Sequence, residues 1–378
     1  MSTVEQLLAP AQPTRRPHRR IVFVSWRDLA HPQSGGSEVL IDRLACGCQE
    51  RGHEVALMCG APTGPRRYDV VALGGTYAQY LRAPLRYARR FRGWDVLVDN
   101  ENGIPFFSPL WRRGPVVCLV HHVHSDQWRL RFPRPVAAVG RTLEGQAMPA
   151  VYRRSLFLCV SRSTAAAVTR LGVAPERIRV LPMGADPGDP APTGRSTTPL
   201  FVALGRLVPH KRLDLLLAIW ERVRPRVGGR LVVIGDWPER ERIERLAGDG
   251  VELRGRVPEA EKRALLREAW LLVHAAMHEG WGIVVCEAAA VGTPTLAFDA
   301  PGVRDAIRDG ATGVLATCAD DFARQWIALS HDAERRTLLG DAARRQVERV
   351  PWSGTIDAFL EVLDDAVERH GKTGTVAA

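Results

Sequence analysis

The sequence predicts an α/β fold of two parallel-sheet domains facing each other across a cleft. Three observations carry that expectation. Short apolar runs alternate with helical patterns along the 378 residues, the alternation that places helices on both faces of a parallel sheet. One stretch, residues 186–198, is rich in Pro, Gly, Ser and Thr and interrupts the alternation once, as a linker would. The length suffices for two domains of ordinary size.

Residues 1–18 are polar with several prolines and are expected to form a disordered tail. Residues 21–26 read as the first buried strand. The loop through Ser34, Gly35 and Gly36 leads into a helix over 37–50, with Ser37 as its candidate cap and Gly52 as its stop. Strands are expected at 54–59, 70–73, 94–98, 116–120, 155–160 and 178–181. After the linker, strands at 200–204, 231–234, 251–253, 270–273, 295–298 and 313–315 alternate with helices at 211–223, 239–247, 259–268 and 303–307. From Ala319 onward the pattern predicts two helices broken near Pro351.

Hydrophobic residues make up 46% and charged residues 25%, the balance of a soluble globular protein. No apolar run approaches the ~20 residues that span a bilayer. No apolar core follows the early arginines, so a cleaved signal peptide is not expected and a cytoplasmic location is. None of the seven cysteines forms a Cys-x-x-Cys pair, which points to reduced buried thiols. The net charge of +10 is concentrated at 82–92 and 129–141. No helix-turn-helix, zinc-finger or RNA-binding signature accompanies it, so nucleic acid is not expected as a partner. An anionic lipid surface, a phosphorylated substrate or a solvated arginine-rich face each fits the charge.

Four constellations carry chemistry. Gly35 and Gly36 let backbone approach a ligand, and the following helix start favours an anion; a tight turn without ligand reads equally well. The run from Val116 to Trp128 ends in His121, His122 and His124. Neighbours on extended chain point to opposite faces, so a polar site wall using one histidine is favoured over zinc or purely structural histidines. Arg206 and Lys211 flank a helix start where fork and point charge suit a diphosphate, or serve as ordinary first-turn cations. Lys211 is one of only three lysines among 52 basic residues. Finally, Glu279 and Glu287 bracket Gly280, Trp281, Gly282 and Ile283. Carboxylates grip vicinal diols and the intervening amides can hold an anion. If 279–287 were helical throughout, the acids would lie ~12 Å apart along the axis. Read alone, they are also dipole-complementing residues of a helix start.

Taken together, Glu-Gly-Trp-Gly…Glu-Ala resembles the signature of the retaining GT-B glycosyltransferases of family four (glycosyl transferases group 1). The resemblance runs through nearly the whole chain in order: Gly35-Gly36, His121, the Leu181-Pro182-Met183-Gly184-Ala185-Asp186 run, Gly205-Arg206 and Lys211, Gly235-Asp236-Trp237-Pro238, Gly255-Arg256-Val257, Gly292-Thr293-Pro294 and Trp352. Met183 stands where the family has Asn, and Trp237 where it has Gly.

The resemblance implies two Rossmann-like domains, an acceptor-binding one over 19–190 and a nucleotide-sugar-binding one over 191–350, with a helix over 351–378 crossing back. It implies His121, Glu279, Arg206 and Lys211 as catalytic. The donor, a nucleoside-diphosphate sugar, would meet Gly35, Gly36, Arg206, Lys211, Arg256, Val257, Glu279, Gly280, Trp281, Gly282, Ile283 and Glu287, with Glu287 on the ribose and Glu279 on the sugar. Asn100, His122, His124 and Trp128 are weaker candidates for a hydroxyl acceptor, lipid-linked or a small molecule, and the 82–92 segment for peripheral membrane contact. No Asp-x-Asp triplet occurs, so neither metal nor cofactor is expected. A sugar-nucleotide epimerase and a non-catalytic anionic-surface binding protein are the alternatives.

Overall fold

A computed structural model describes residues 16–125, 127–186 and 194–375. Two all-parallel sheets form in it. The first has strands β1 (Arg20–Ser25), β2 (Glu54–Cys59), β3 (Asp69–Ala72), β4 (Val96–Glu101), β5 (Val116–Val120), β6 (Leu156–Cys159) and β7 (Ile178–Val180), in the spatial order β3-β2-β1-β4-β5-β6-β7. The second has β8 (Leu200–Leu204), β9 (Arg230–Ile234), β10 (Val251–Gly255), β11 (Leu271–His274), β12 (Thr295–Phe298) and β13 (Gly313–Ala316), in the order β10-β9-β8-β11-β12-β13.

The apolar runs form strands because both faces of each sheet are covered. On β1, Ile21 and Phe23 enter one core with the helix Gly36–Glu50, while Val22 and Val24 enter another with the helix Ala78–Arg90. The strand order reverses beside β1 and β4 in one sheet and beside β8 and β11 in the other. Such a reversal opens a crevice at the carboxyl ends, where ligands of open α/β sheets bind.

Residues 1–15 of the expected tail lie outside the described residues, but Arg16 donates to Asp357 O at 3.1 Å and pairs with Glu361 at 3.0 Å, and Arg19 pairs with Asp364 at 3.0 Å. Charge complementarity fastens this segment to the helix Trp352–Thr375. Of the expected linker, residues 187–193 lie outside the described residues, and Arg195 already belongs to the second half, donating to Arg267 O and Ala269 O, both at 2.8 Å.

The chain after Ala319 forms three helices, Ala319–His331, Ala333–Glu348 and Trp352–Thr375, not two. The extra break is at Asp332, whose carboxylate caps the second helix by accepting from Arg335 N at 2.8 Å. The last helix packs on the first sheet: Phe359 is buried and stacks on Phe23 with ring centroids 5.8 Å apart. Ile356 fills the space over Gly47, where a Cβ would lie 2.1 Å from its Cδ1. Where the chain returns, Ala185 N donates to Val350 O at 3.3 Å, and Ala185 bridges Pro351 in parallel. Among the described residues no helix is long and apolar enough to cross a membrane.

Candidate functional site

The site assembles where the carboxyl ends of the two sheets face each other. After β8 the chain turns at Gly205, passes Arg206 and makes a short 3-10 turn, Pro209–Lys211. Lys211 Nζ pairs with Glu279 Oε1, and His274 Nε2, from the last residue of β11, lies 2.9 Å from the same oxygen. Burial alone would raise the Glu279 carboxyl, but the Lys211 charge and the His274 contact outweigh it and hold the group well below the usual carboxylate range. Burial pushes His274 down, against the pull of Glu279. Glu279 is therefore ionised near neutral pH, fitted to accept hydroxyl hydrogens and unfitted to donate a proton.

The condition of a continuous 279–287 helix does not hold, and with it goes the ~12 Å axial spacing. The helix spans Ile283–Ala290 only. Gly282 precedes it with φ 95°, a left-handed conformation suited to glycine, and Glu279 N donates to Pro301 O at 3.0 Å in a loop. Gly280 is there for close approach: a Cβ on it would lie 2.8 Å from the backbone oxygen of His121 in the opposite half. Trp281 packs against the cores of both halves.

Facing this loop, the helix Gly36–Glu50 starts from Gly35, not from Ser37. Glu38 takes the capping role by accepting from Gly35 N at 2.7 Å, and the Ser37 hydroxyl instead accepts from Asn102 Nδ2 at 3.0 Å. A Cβ on Gly35 would lie 3.3 Å from Arg206 Nε, and one on Gly36 3.1 Å from Ile283 Cδ1. The glycine loop thus presents bare backbone to a guanidinium and a helix start from the other half. Arg27 braces this loop by donating to Gln33 O at 2.9 Å; its only mark in the sequence is its place just past an apolar strand end.

His121 lies at the end of β5, buried, with Nε2 2.6 Å from Asn100 Oδ1. Asn100 Nδ2 donates to Ser25 Oγ at 3.1 Å, so Oδ1 faces the ring and accepts from Nε2–H. Burial, with a smaller push from His124, takes His121 down to about 3, so it is neutral near pH 7.

The acceptor candidates sit differently from the expectation. Asn100 is buried behind His121. His124 and Trp128 are buried against Glu144, whose Oε1 accepts from His124 N at 2.6 Å and whose Oε2 accepts from Trp128 Nε1 at 2.9 Å. The His122 ring is tilted against those of His124 and His278, with centroids 3.9 and 5.1 Å away. The sequence placed these residues at strand ends but could not show Glu144, far along the chain, drawing two of them inward.

At the other end of the site, Glu287 pairs with Lys262 at 2.7 Å, and Lys262 also pairs with Glu259 at 2.8 Å. Burial raises the Glu287 carboxyl and Lys262 opposes it. Glu287, Lys262, Ile283, Val39 and Trp352 line a cleft between the halves. Val257 packs against the second core, and Arg256 reaches across to donate to the carbonyl of Pro32. The Trp237 backbone is left-handed, φ 29°, at the position where the family resemblance has glycine.

Two parallel sheets meeting at this cleft, with the glycine loop, the cationic pair and the two glutamates, define a GT-B glycosyltransferase. A model of glycosyltransferase family 4 matches residues 34–189, and one of glycosyl transferases group 1 matches 189–346. A relative from Nocardia farcinica, named D-inositol 3-phosphate glycosyltransferase, is 31% identical over 434 aligned positions covering 96% of this chain and 93% of that one. One of the same name from Thermobispora bispora is 34% identical over 198 residues, 47% of this chain and 45% of the relative's length. Among solved structures, Anabaena HepE with UDP and glucose superposes with a TM-score of 0.74 at 17% identity, covering 92% of this chain and all (100%) of that one. A Thermosynechococcus elongatus sucrose-phosphate synthase gives 0.76 at 18%, covering 92% and 99%. The chain belongs to glycosyltransferase family 4.

Proposed function

We propose that this enzyme transfers a hexose-type sugar from a nucleoside-diphosphate donor, UDP- or GDP-linked, to a hydroxyl acceptor with retention at the anomeric carbon. The observation that carries the reading is the Lys211–Glu279–His274 cluster set beside the Gly35–Arg206 contact. It provides a fixed anion for sugar hydroxyls next to two cations and a helix start for a diphosphate.

As the glycosidic bond breaks, negative charge grows on the leaving diphosphate. Arg206, Lys211 and the helix start at Gly35 stabilise it there, the electrostatic contribution usually largest in such reactions. Glu279 holds the sugar and Glu287 the ribose. Neutral His121, its ring set by Asn100, positions and polarises the donor sugar and is not a nucleophile. The acceptor oxygen attacks from the leaving-group side, and a departing phosphate oxygen takes its proton. Because Arg206 and Lys211 supply the positive charge, the reaction needs no metal or cofactor at the diphosphate. That the homologues named above act on an inositol phosphate makes a polar or phosphorylated acceptor the first to assay.

A lipid-linked acceptor is favoured by the outer face of the helix Ala78–Arg90. Leu81 and Leu85, one turn apart, are 80% and 64% exposed, beside Arg82, Arg86 and Arg89. Apolar residues rimmed by arginines suit an anionic membrane surface, which would place the enzyme peripherally at the cytoplasmic face.

Thermal-shift measurements with UDP-, GDP-, ADP- and dTDP-sugars, followed by NMR of the product anomeric proton, test the proposal. Stabilisation by one donor class and an unchanged anomeric configuration are expected. Failure of every donor to stabilise the fold would overturn the donor-site reading, and conversion of the donor sugar without acceptor would make the enzyme an epimerase.

A further inference from the structure

Behind the wall of histidines lies a second cluster that the transfer reaction does not use. Glu101 at the end of β4, His124 after β5 and Glu144 are all buried, and each offers a ligating atom within 4.8 Å of the other two. We propose that these three side chains bind one divalent metal ion of the zinc–manganese–iron class.

An ionised carboxylate can only accept, so two buried carboxylates facing one another need a cation or a proton between them. Glu101 Oε1 is satisfied by Gly103 N–H at 2.7 Å, but Oε2 is fully buried and has no hydrogen-bond partner. Among the described residues neither acid is paired with a lysine or arginine; the sole ion-pair partner of Glu144 is His124, at 3.1 Å. Two ligands ~2.0–2.2 Å from one ion stand ~3.3–3.6 Å apart at a tetrahedral edge, a few tenths of an ångström wider than that separation. A divalent ion would neutralise both acids at once and give Oε2 its missing partner.

The donor set also fits. One imidazole and two carboxylates, with remaining positions open to water, is a ligand count used for zinc, and nitrogen–oxygen sets suit manganese and iron too. The ligands are themselves held: Gly103 N–H fixes Glu101, and His124 N–H and Trp128 Nε1–H fix Glu144. Glu144 stands in a π-helical turn, Leu143–Ala147, a distortion common at functional sites because it re-aims a side chain. An ion here would tie together β4, the loop after β5 and this turn, fixing the wall on which His121 and His122 stand. The site is separate from the diphosphate cations, and it stands whether or not the donor reading does.

Elemental analysis of the full chain, purified without chelator and dialysed, decides it. About one zinc, manganese or iron per chain is expected. Glu101→Gln, which keeps an acceptor for Gly103, should reduce this at least ~10-fold. After stripping by chelator in mild denaturant and refolding, added Zn²⁺ or Mn²⁺ should raise the wild-type Tm by ~3 °C or more and leave Glu101→Gln unmoved. Wild-type protein without stoichiometric metal and with no Tm response to Zn²⁺, Mn²⁺ or Fe²⁺ overturns the proposal whatever the variant does. Undiminished metal in folded Glu101→Gln overturns it as well, by placing the ion elsewhere.

Discussion

Asn100 Oδ1 lies 2.6 Å from His121 Nε2 and, with Nδ2 committed to Ser25, holds the imidazole with its proton on Nε2. The pair joins two neighbouring strands of the first sheet at the mouth of the cleft. Asn100→Ala removes the acceptor and frees the ring. With a net hydrogen-bond value of ~1 kcal/mol, kcat should fall about fivefold while donor KM changes little. An unchanged kcat would show that the bond does not position the ring.

His121 also gives the protein a pH signature. Its folded value is about 3, held down by burial, against an ordinary 6.5. Below 6.5 the unfolded chain takes up a proton that the folded chain refuses. Stability is therefore full above 6.5 and is lost as pH falls toward about 3, with a slope approaching ~1.4 kcal/mol per pH unit for this group. Urea unfolding from pH 7 to 5 should show a smaller loss in His121→Asn than in wild type; equal slopes would refute the assignment.

Lys211→Ala removes a proposed diphosphate cation and leaves Glu279 half-buried without its counter-charge. Loss of ~100-fold or more in kcat/KM is expected, in line with removal of one preorganised electrostatic group. Glu279→Gln keeps shape and loses the anion, so it should weaken donor binding, seen as a smaller Tm shift with the cognate nucleotide sugar. A variant of either residue with wild-type kcat/KM would remove the cluster from the mechanism.

Gly280→Ala tests the approach of the two halves. Its Cβ would meet the His121 backbone oxygen at 2.8 Å, and neither backbone is free to yield. The cost in the closed state should be ~1–3 kcal/mol, with activity falling more than Tm. Equal activity would show that the halves need not close this tightly for turnover.

Adding EDTA to the assay should leave the rate within about twofold, because in the proposed mechanism Arg206 and Lys211 supply the positive charge at the diphosphate. Immediate loss restored by Mg²⁺ or Mn²⁺ would refute metal-free chemistry at the diphosphate.

Most of the fold was legible because parallel strands buried on both faces must be short apolar runs. β2, β5, β8 and β12 fall on the expected residues, and the other strands differ by a residue or two, β4 by up to three. The break at Asp332 was not legible: no Gly or Pro marks it, only a cap. The motifs bearing Gly35, Arg206, Lys211, Glu279 and His121 stood out by spacing. Their partners did not, because His274, Asn100 and Arg27 are single polar residues at strand ends, and their roles depend on which strands become neighbours. Glu101 and Glu144 are further out of reach: 43 positions apart in sequence, they meet only through the fold.

The parallel bridge of Ala185 with Pro351 has a mechanical consequence. The chain leaves the first half near Ala185 and returns to it near Pro351, and at that point the two passes are hydrogen-bonded, Ala185 N to Val350 O at 3.3 Å. A single tether permits swivel; a doubled one resists torsion and leaves bending about one line as the easy motion. Opening of the cleft about that line would return Glu279 to the same register against His121.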